Sequence, residues 1–316
     1  MAVIAVAGGT GNMGKTLVEA LVASKKHDVK ILARKPNLEL EAQLGVSVIA
    51  VDYNDVEALK IALEKHNIHT VISAISMLPG PNGEKPMEVE LIRASNASKT
   101  TKRMISSDWG IPHTEADIHK LASVPEKFTA QVELKQATNL ETTYVVNGMF
   151  MDYWGLPAVK SHVAPITMAI DILNNKAAIP GDGESPVAFT HTTDVAKLVV
   201  AMLDLEKWEP QTYIIGDRIT WNEFLQLAED AKGTSFETTH DSVEMLKKGQ
   251  VTELPGQIPA YAVFPKETFQ GMAAAFGLWF AEGTLSYMPK KLLNNQFPEI
   301  KTMKVKEMLE RAWKRV

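Results

Sequence analysis

The sequence of 316 residues contains no cysteine. Disulfide bonds, thiolate metal ligands and cysteine nucleophiles are therefore excluded. The eight histidines show neither an HExxH motif nor any other paired-ligand spacing, so we expect no metal site. Positive charge is not in excess either, since the net charge is −5 and no long run of lysine or arginine occurs. We therefore expect no nucleic-acid ligand.

The sequence has no apolar run long enough to indicate a signal peptide or a membrane span. The N-terminal run Met1–Ala7 has no basic region before it and is too short to cross a bilayer. We interpret it as a buried strand and expect a soluble, cytoplasmic protein without a membrane partner. With 45% hydrophobic residues, the chain can bury one large core together with a smaller lobe.

The first 150 residues alternate short apolar runs with helical patterns, which is typical of repeated βαβ units. Strands are predicted at Val3–Ala7, Val29–Ala33, Val46–Val51, Val71–Ile75, Arg103–Ser106 and Thr143–Val146. Helices are predicted at Met13–Ala23, Val56–Glu64 with Asp55 as N-cap, Met87–Ala97 and Phe128–Thr138. This order predicts an α/β fold with a doubly wound parallel sheet.

After residue 150 the pattern changes, because prolines and the turn Gly181–Gly183 interrupt it. Two later segments, Val187–Ala196 and Thr212–Ile215, look like returns to the sheet. We therefore predict a first domain of residues 1–150 with returning segments at about 187–216. Residues 151–186 and 217–316 are predicted to form a smaller, discontinuous substrate-binding lobe.

A loop with three regularly spaced glycines follows the first predicted strand. Gly8, Gly11 and Gly14 have the spacing GxxGxxG. The first glycine permits a tight turn, the second lets a pyrophosphate approach the backbone, and the third lets the helix pack close to the sheet. The helix start offers free N–H groups and a positive dipole end to phosphates. The loop therefore predicts a Rossmann-type dinucleotide site.

Two cations follow the second predicted strand, where an NAD-selective site usually has an acidic residue. Arg34 and Lys35 occupy this place. An arginine here can form a bidentate pair with the 2′-phosphate of NADP(H). We therefore expect NADP(H) rather than NAD(H) or FAD as the cofactor. In the alternative interpretation, both residues are solvated surface charges.

Several motifs together resemble the NmrA-like and isoflavone-reductase-like family of atypical short-chain dehydrogenases. They are the glycine loop, Ala33–Pro36, Gly45–Asp55, Val71–Ala74, Ser106–Gly110 and Thr143–Phe150. The likeness reappears at His191–Ala196 and is vague beyond Gly216. Each motif alone is unspecific, whereas the combination is specific.

The resemblance implies further cofactor contacts. Asp52 would lie near the adenine, the residues after the fourth strand would line the cofactor, and Ser107 with the turn Asn147–Phe150 would lie near the nicotinamide. The full predicted set is Gly8, Thr10, Gly11, Asn12, Met13, Gly14, Arg34, Lys35, Asp52, Ala74, Ile75, Ser76, Ser107, Asn147 and Phe150. Alternatively, Asp52 caps the next turn and Phe150 belongs to the core.

The catalytic group is less well defined. A YxxxK pair occurs only at Tyr287–Lys291, where Pro289 breaks it, and we treat it as coincidence. The resemblance implies a lysine at the start of the helix before the strand at Thr143. Counting back reaches Phe128 or Thr129, and the nearest lysine is Lys127. We expect Lys127 to face solvent, with a displaced catalytic lysine as the alternative.

Three other polar residues are candidate proton donors or general acids. Asp108 and His113 follow the fifth strand, and Tyr153 follows the sixth. A histidine titrates near neutrality, which suits proton transfer, although a lone loop histidine is often only exposed.

Aromatic residues concentrate near the ends of the fifth and sixth strands. Trp109, Phe150, Tyr153 and Trp154 are predicted to contact a substrate, which favours a bulky apolar or aromatic molecule over a sugar phosphate. In the alternative interpretation these rings pack the lobes.

These features favour an NADP(H)-dependent oxidoreductase that reduces a C=C, C=N or C=O bond of a bulky small molecule, with ring formation coupled to the redox step as a variant. A second hypothesis comes from the resemblance, which includes members that bind dinucleotide and regulate a protein partner without turnover. The sequence is also compatible with a homo-oligomer.

Overall fold

The structure is a computed structural model that describes residues 1–80 and 82–314. The strands are β1 (Val3–Ala7), β2 (Asp28–Ala33), β3 (Ser47–Ala50), β4 (Thr70–Ser73), β5 (Arg103–Gly110), β6 (Glu141–Val146), β7 (Met149–Phe150), β8 (Ile170–Asp171), β9 (Lys176–Pro180), β10 (Val187–Thr190), β11 (Gln211–Tyr213), β12 (Asp217–Ile219) and β13 (Glu237–Asp241).

The α-helices are α1 (Asn12–Ser24), α2 (Leu38–Leu44), α3 (Val56–Lys65), α4 (Glu88–Ala97), α5 (Val124–Gln136), α6 (Asp152–Gly155), α7 (Thr192–Met202), α8 (Trp221–Lys232), α9 (Val243–Lys247), α10 (Lys266–Ala281) and α11 (Val305–Trp313). Short 3₁₀ helices occur at Glu115–Asp117, Pro255–Ala262 and Leu293–Gln296. No helix in the described part of the chain is both long and apolar enough to span a membrane.

Seven parallel strands form the main sheet in the order β11-β6-β5-β4-β1-β2-β3. Helices connect consecutive strands, because parallel neighbours need a crossover connection. The expected α/β class with a doubly wound parallel sheet is confirmed. The strand order reverses between β1 and β4, and ligands bind at such a switch point in open parallel sheets.

Short-range signals explain most of these elements. The β1 and β4 strands are almost entirely buried, as continuous apolar strands of a covered parallel sheet should be. Asp55 caps α3 as expected, since its side chain accepts a hydrogen bond from the Ala58 N–H at 2.9 Å. The helix α2 was not predicted from the sequence pattern, because only Leu40 of this helix is buried and it has no apolar stripe.

Backbone contacts divide the chain into two compact units. The first unit contains residues 1–146, 195–214 and 292–300, and it holds the main sheet. The second contains residues 147–194, 215–291 and the described residues from Lys301 onward. It holds two three-stranded sheets, in the orders β12-β10-β7 and β13-β9-β8.

This division differs from the expected boundaries in several places; residues 147–150, for example, were expected in the first domain and belong to the second unit. The segment Val187–Thr190 was expected to return to the main sheet, but it pairs with Met149–Phe150 and Asp217–Ile219 in the second unit. The second expected segment does return to the main sheet, where Gln211–Tyr213 pairs with β6. Residues 292–300 were expected in the smaller lobe and belong to the first unit. Strand pairing over such sequence distances leaves no local pattern, so periodicity alone does not assign the partner.

The second unit has an aromatic core. Trp221 lies 5.4 Å from Trp154, 5.4 Å from Phe189 and 5.0 Å from Phe280, measured between ring centroids. These pairs meet edge to face, which is the favourable geometry for aromatic rings.

The glycine loop between β1 and α1 yields a stability prediction. A Cβ atom on Gly14 would lie 2.1 Å from the carbonyl oxygen of Gly8, so Gly14→Ala should lower the free energy of unfolding by about 1–3 kcal/mol, as overpacking does. Gly11→Ala is the matched control, because a Cβ there meets nothing within 4 Å. Urea unfolding measures both, and equal stabilities of the two variants would contradict the packing argument.

Candidate functional site

The three spaced glycines of the loop have different surroundings. Gly8 has a φ of +73°, and a Cβ there would lie 2.6 Å from the backbone oxygen of Ala74. Gly14 contacts the backbone of Gly8. Gly11 borders open space. The first and third glycines therefore permit backbone-to-backbone packing, whereas the second leaves room for a ligand at the loop surface.

The start of α1 is open to an anion. Gly11 is the N-cap, no side chain caps the helix, and its first turn contains no acidic residue. Thr10 and Asn12 are exposed, while Met13 is buried beneath them. The unpaired N–H groups of a helix start attract phosphate, so the geometry suits a pyrophosphate here.

Arg34 and Lys35 follow β2 at the same sheet edge, because β1 and β2 are parallel neighbours. Both are exposed, and neither forms an ion pair with an acidic residue in the described part of the chain. Their charges are therefore available to an anionic ligand.

Asp52 has a local partner. Its carboxylate accepts hydrogen bonds from the Asn54 N–H at 2.9 Å and from Asn54 Nδ2 at 3.0 Å, which lower its pKa. It therefore caps the turn after β3, as the alternative interpretation held. Its neighbour Tyr53 is buried, and its hydroxyl donates to the Leu32 carbonyl at 2.9 Å. Burial raises the pKa of Tyr53 strongly, so this hydroxyl stays protonated.

The predicted residues after β4 lie beside the glycine loop and β5. The Ala74 N–H donates to the Ala7 carbonyl at 2.8 Å. The Ile75 carbonyl accepts a hydrogen bond from Ser107 Oγ at 2.7 Å. Ser76 is exposed. The indole N–H of Trp109 donates to the Ser73 carbonyl at 2.8 Å, so Trp109 also fixes the end of β4.

Sequence reasoning missed Glu88, the first residue of α4. Its carboxylate is 1% exposed and accepts hydrogen bonds from Ser73 Oγ at 2.5 Å, Ser106 Oγ at 2.7 Å and the Ser107 N–H at 3.0 Å. Burial raises the pKa of Glu88. This one side chain links the ends of β4 and β5. The available signal was an acid at a helix start, which is common and points to no partner.

A β-bulge shapes the end of β5. Ser106 pairs with Tyr144, and Gly110 pairs with Val146, so β5 has three residues where β6 has one. Trp109 in this bulge has a φ of +34°, a conformation that bulky residues rarely adopt. Bulges redirect side chains near active sites, and this one includes Asp108.

Lys127 does not face solvent, so that expectation was wrong. Its Nζ donates to Asp108 Oδ1 at 2.8 Å and to the Asp108 carbonyl at 2.5 Å, and its side chain is only 14% exposed. The physical reason is that α5 begins at Val124 rather than at Phe128. Lys127 therefore lies within the helix and points at the buried Asp108. An ammonium has three donors, and Asp108 uses two of them.

His113 and Gln131 complete this cluster. Gln131 Nε2 lies 2.9 Å from Asp108 Oδ2 and 3.3 Å from His113 Nε2. His113 Nε2 is also 3.7 Å from Asp108 Oδ2, and the His113 side chain is 3% exposed. Burial lowers the pKa of His113, so its imidazole is neutral at neutral pH. The structure thus brings together the predicted Asp108, His113 and Lys127, and it adds Gln131.

The remaining predicted residues lie in the second unit. Asn147 is buried, and its Oδ1 has no hydrogen-bond partner among the described residues. Phe150 and Tyr153 are half-buried, with ring centroids 6.3 Å apart. Burial and the neighbouring Asp152 raise the pKa of Tyr153, so its hydroxyl can donate but does not act as a base near neutrality.

Trp154 is a core residue, and the expectation that it contacts a substrate was wrong. Its side chain packs against Phe189, Trp221 and Phe224 at 5.2–5.8 Å between ring centroids. Its indole N–H donates to the Ile170 carbonyl at 3.1 Å, and the residue is 3% exposed. The sequence showed three neighbouring aromatic residues at positions 150, 153 and 154 but not that α6 turns Trp154 inward.

The fold and the glycine loop define a protein of the Rossmann class. The chain belongs to the NmrA-like family, whose model matches residues 1–282. The expected family is therefore confirmed.

Individual relatives agree with this assignment. An oxidoreductase named BOA1 of Botryotinia fuckeliana is 35% identical over 94% of this chain and 95% of its own length. The isoflavone reductase homolog P3 of Arabidopsis thaliana is 27% identical over 80% of this chain and 82% of its own. The names of these relatives confirm the expected enzyme class, an oxidoreductase.

A solved structure extends the likeness to the fold. The structure of AtPrR2 with NADP+ and (+)-pinoresinol superposes with a TM-score of 0.74, at 21% identity and 98% coverage of both chains. That structure contains NADP+ and (+)-pinoresinol.

The buried His113 yields a pH prediction. Its pKa is below the usual 6.5 in the folded protein and near 6.5 in the unfolded chain. As the pH falls through 6.5, the unfolded chain takes up the proton first, so stability is lost. His113→Gln should flatten this loss, as measured by urea unfolding between pH values of about 7 and 5. His119→Gln, at an exposed histidine, is the control. Parallel profiles for wild type and His113→Gln would contradict the prediction.

Proposed function

We propose that this protein is an NADP(H)-dependent reductase of the atypical short-chain dehydrogenase type that acts on a bulky apolar or aromatic small molecule. One observation carries the proposal. The Lys127 ammonium is held by Asp108 at the end of β5, and its third donor has no hydrogen-bond partner among the described residues. A reductase needs a positioned cation that can donate a proton near its dinucleotide site. An oriented ammonium beside this sheet edge meets that requirement.

The residues present fit NADP(H). A pyrophosphate has room at Gly11 and free N–H groups at the start of α1. Arg34 and Lys35 have no acidic partner among the described residues and suit a 2′-phosphate. The end of β2 has no acidic residue that would repel that phosphate. The NADP+ in the AtPrR2 structure supports the same cofactor.

When bound, the reduced cofactor supplies a hydride. The chain must then stabilise the charge that develops on the substrate and provide a proton. Lys127 Nζ is suited to both tasks, because an ammonium stabilises a developing anion and donates a proton. Asp108 orients it through two hydrogen bonds.

The aromatic residues support the proposed substrate class. Phe150 and Tyr153 are only half-buried and present ring surface that an apolar or aromatic molecule can cover. The (+)-pinoresinol in the AtPrR2 structure is consistent with this class. The bond reduced is C=C, C=N or C=O. In a variant of the proposal the reduction is coupled to ring formation, which NMR of the product distinguishes from simple reduction.

The regulator hypothesis comes from the family resemblance, and it does not account for an inward-facing lysine in α5. Lys127 is 14% exposed and paired with Asp108. A regulator that only binds dinucleotide has no need of a buried, oriented ammonium.

Arg34 tests the cofactor assignment. Arg34→Ala should weaken NADPH binding by about tenfold to a hundredfold, the range for a lost charged hydrogen bond, and should leave NADH binding nearly unchanged. Calorimetry measures both. Arg93→Ala is the control, because this exposed arginine pairs with Glu133 instead. Equal losses of NADPH and NADH affinity would contradict the assignment of Arg34 to the 2′-phosphate.

Lys127 tests the catalytic assignment. Lys127→Ala should lower turnover by about 10²–10⁴, the range for a general acid, while NADPH affinity changes little. The assay follows NADPH oxidation with a panel of aryl enones, aryl ketones and cyclic imines. Lys135→Ala, at an exposed lysine of the same helix, is the control. Unchanged turnover in Lys127→Ala would refute the role.

A further inference from the structure

The cluster around Asp108 contains a hydrogen-bond pattern that fixes the proton on His113. A carboxylate only accepts hydrogen bonds, so the Gln131 atom that lies 2.9 Å from Asp108 Oδ2 is its NH₂ group. The same nitrogen lies 3.3 Å from His113 Nε2. Its second hydrogen therefore points to His113 Nε2, which must be the unprotonated nitrogen.

The other ring nitrogen agrees with this assignment. His113 Nδ1 lies 3.1 Å from the Ile111 carbonyl, which only accepts hydrogen bonds. Nδ1 therefore carries the proton, and the ring is the neutral Nδ1–H tautomer. Each polar atom in the series from Ile111 through His113 and Gln131 to Asp108 then has a partner of the right kind. The His113 and Phe128 rings pack in a T-shaped arrangement with their centroids 5.3 Å apart, which further fixes the position of His113.

We propose that Gln131 is a positioning residue which, with neutral His113, holds the Asp108 carboxylate in place for Lys127, and that protonation of His113 releases this hold. The inference rests on the proposed role of Lys127. Gln131 donates a hydrogen bond to Asp108 Oδ2, which leaves Asp108 Oδ1 to the Lys127 ammonium. The carboxylate is 3% exposed, so water does not replace a lost partner easily.

Protonation of His113 would break this hydrogen-bond pattern. A proton on His113 Nε2 would face the Gln131 NH₂ group, and two donors do not bond. Gln131 would have to rotate, and the imidazolium, 3.7 Å from Asp108 Oδ2, would compete with Lys127 for the same carboxylate. The charged groups that act on His113 are Asp108 from β5, Lys127 from α5 and Asp117 from the 3₁₀ helix. The two acids favour its protonation, whereas Lys127 and burial oppose it.

Histidine NMR tests the pattern without any substrate. In the wild-type protein, ¹⁵N shifts should show His113 as the neutral Nδ1–H tautomer at neutral pH, with the signal assigned by its loss in His113→Gln. In Gln131→Glu, a carboxylate replaces the amide and can accept from Nε2–H. The midpoint of His113 titration should then rise by about one pH unit or more. A wild-type proton on Nε2, or an unchanged midpoint in Gln131→Glu, would overturn the proposal.

Turnover tests the consequence for Lys127. Gln131→Met keeps the side-chain length but loses both hydrogen bonds, so kcat should fall about tenfold or more while NADPH affinity stays within about twofold. The probes are the same aryl enones, ketones and cyclic imines. Gln136→Met, at an exposed glutamine of α5, is the control. If Gln131→Met fails to fold, Gln131→Asn provides the same test, because the shorter amide cannot reach both partners.

The outcomes separate the two proposals. If Lys127→Ala loses turnover and Gln131→Met does not, the positioning role is wrong while the proposed function stands. If Lys127→Ala keeps full turnover, the catalytic proposal fails, and the NMR result alone decides whether Gln131 and His113 hold Asp108.

Discussion

The first unit depends on the close approach of three backbone segments. Gly14 of α1 contacts the Gly8 carbonyl, and Gly8 in turn contacts the backbone of Ala74 after β4. A single methyl group at either glycine would occupy space that a backbone atom already fills. This contact brings the start of α1 to the sheet and, because Gly11 carries no such contact, leaves the middle of the loop open.

From Ala74 a series of hydrogen bonds leads to the candidate catalytic group. Glu88 receives hydrogen bonds from both β4 and β5, and the indole of Trp109 returns a bond to β4. These bonds stabilise a bulge whose positive φ at Trp109 costs about 1–3 kcal/mol. Asp108 lies within that bulge and holds Lys127. The position of the ammonium therefore depends on how the two strand ends are linked.

Local signals in the sequence were sufficient for the strands and for the loop. The predicted and observed bounds of β1 agree, and Asp55 caps α3, because burial on both sheet faces and a capping side chain leave marks within a few residues. The site was harder to predict from the sequence, because its key contacts join residues that are far apart in the chain. Glu88 meets partners 15 to 19 residues away, and nothing near Glu88 distinguishes it from the other acidic residues. The partner of the strand Val187–Thr190 was hidden for the same reason.

The orientation of Lys127, in contrast, was present in the sequence and was overlooked. Val124, Lys127, Gln131 and Leu134 are spaced by three, four and three residues, which places them on one face of a helix. Val124 and Leu134 are buried, so the face between them is the inward one. Pro125 in the first turn also indicates that the helix begins before Phe128. Two polar residues on an inward helical stripe need buried polar partners. The Asp108 bulge supplies them, so the same stripe that packs α5 also points Lys127 and Gln131 at one carboxylate.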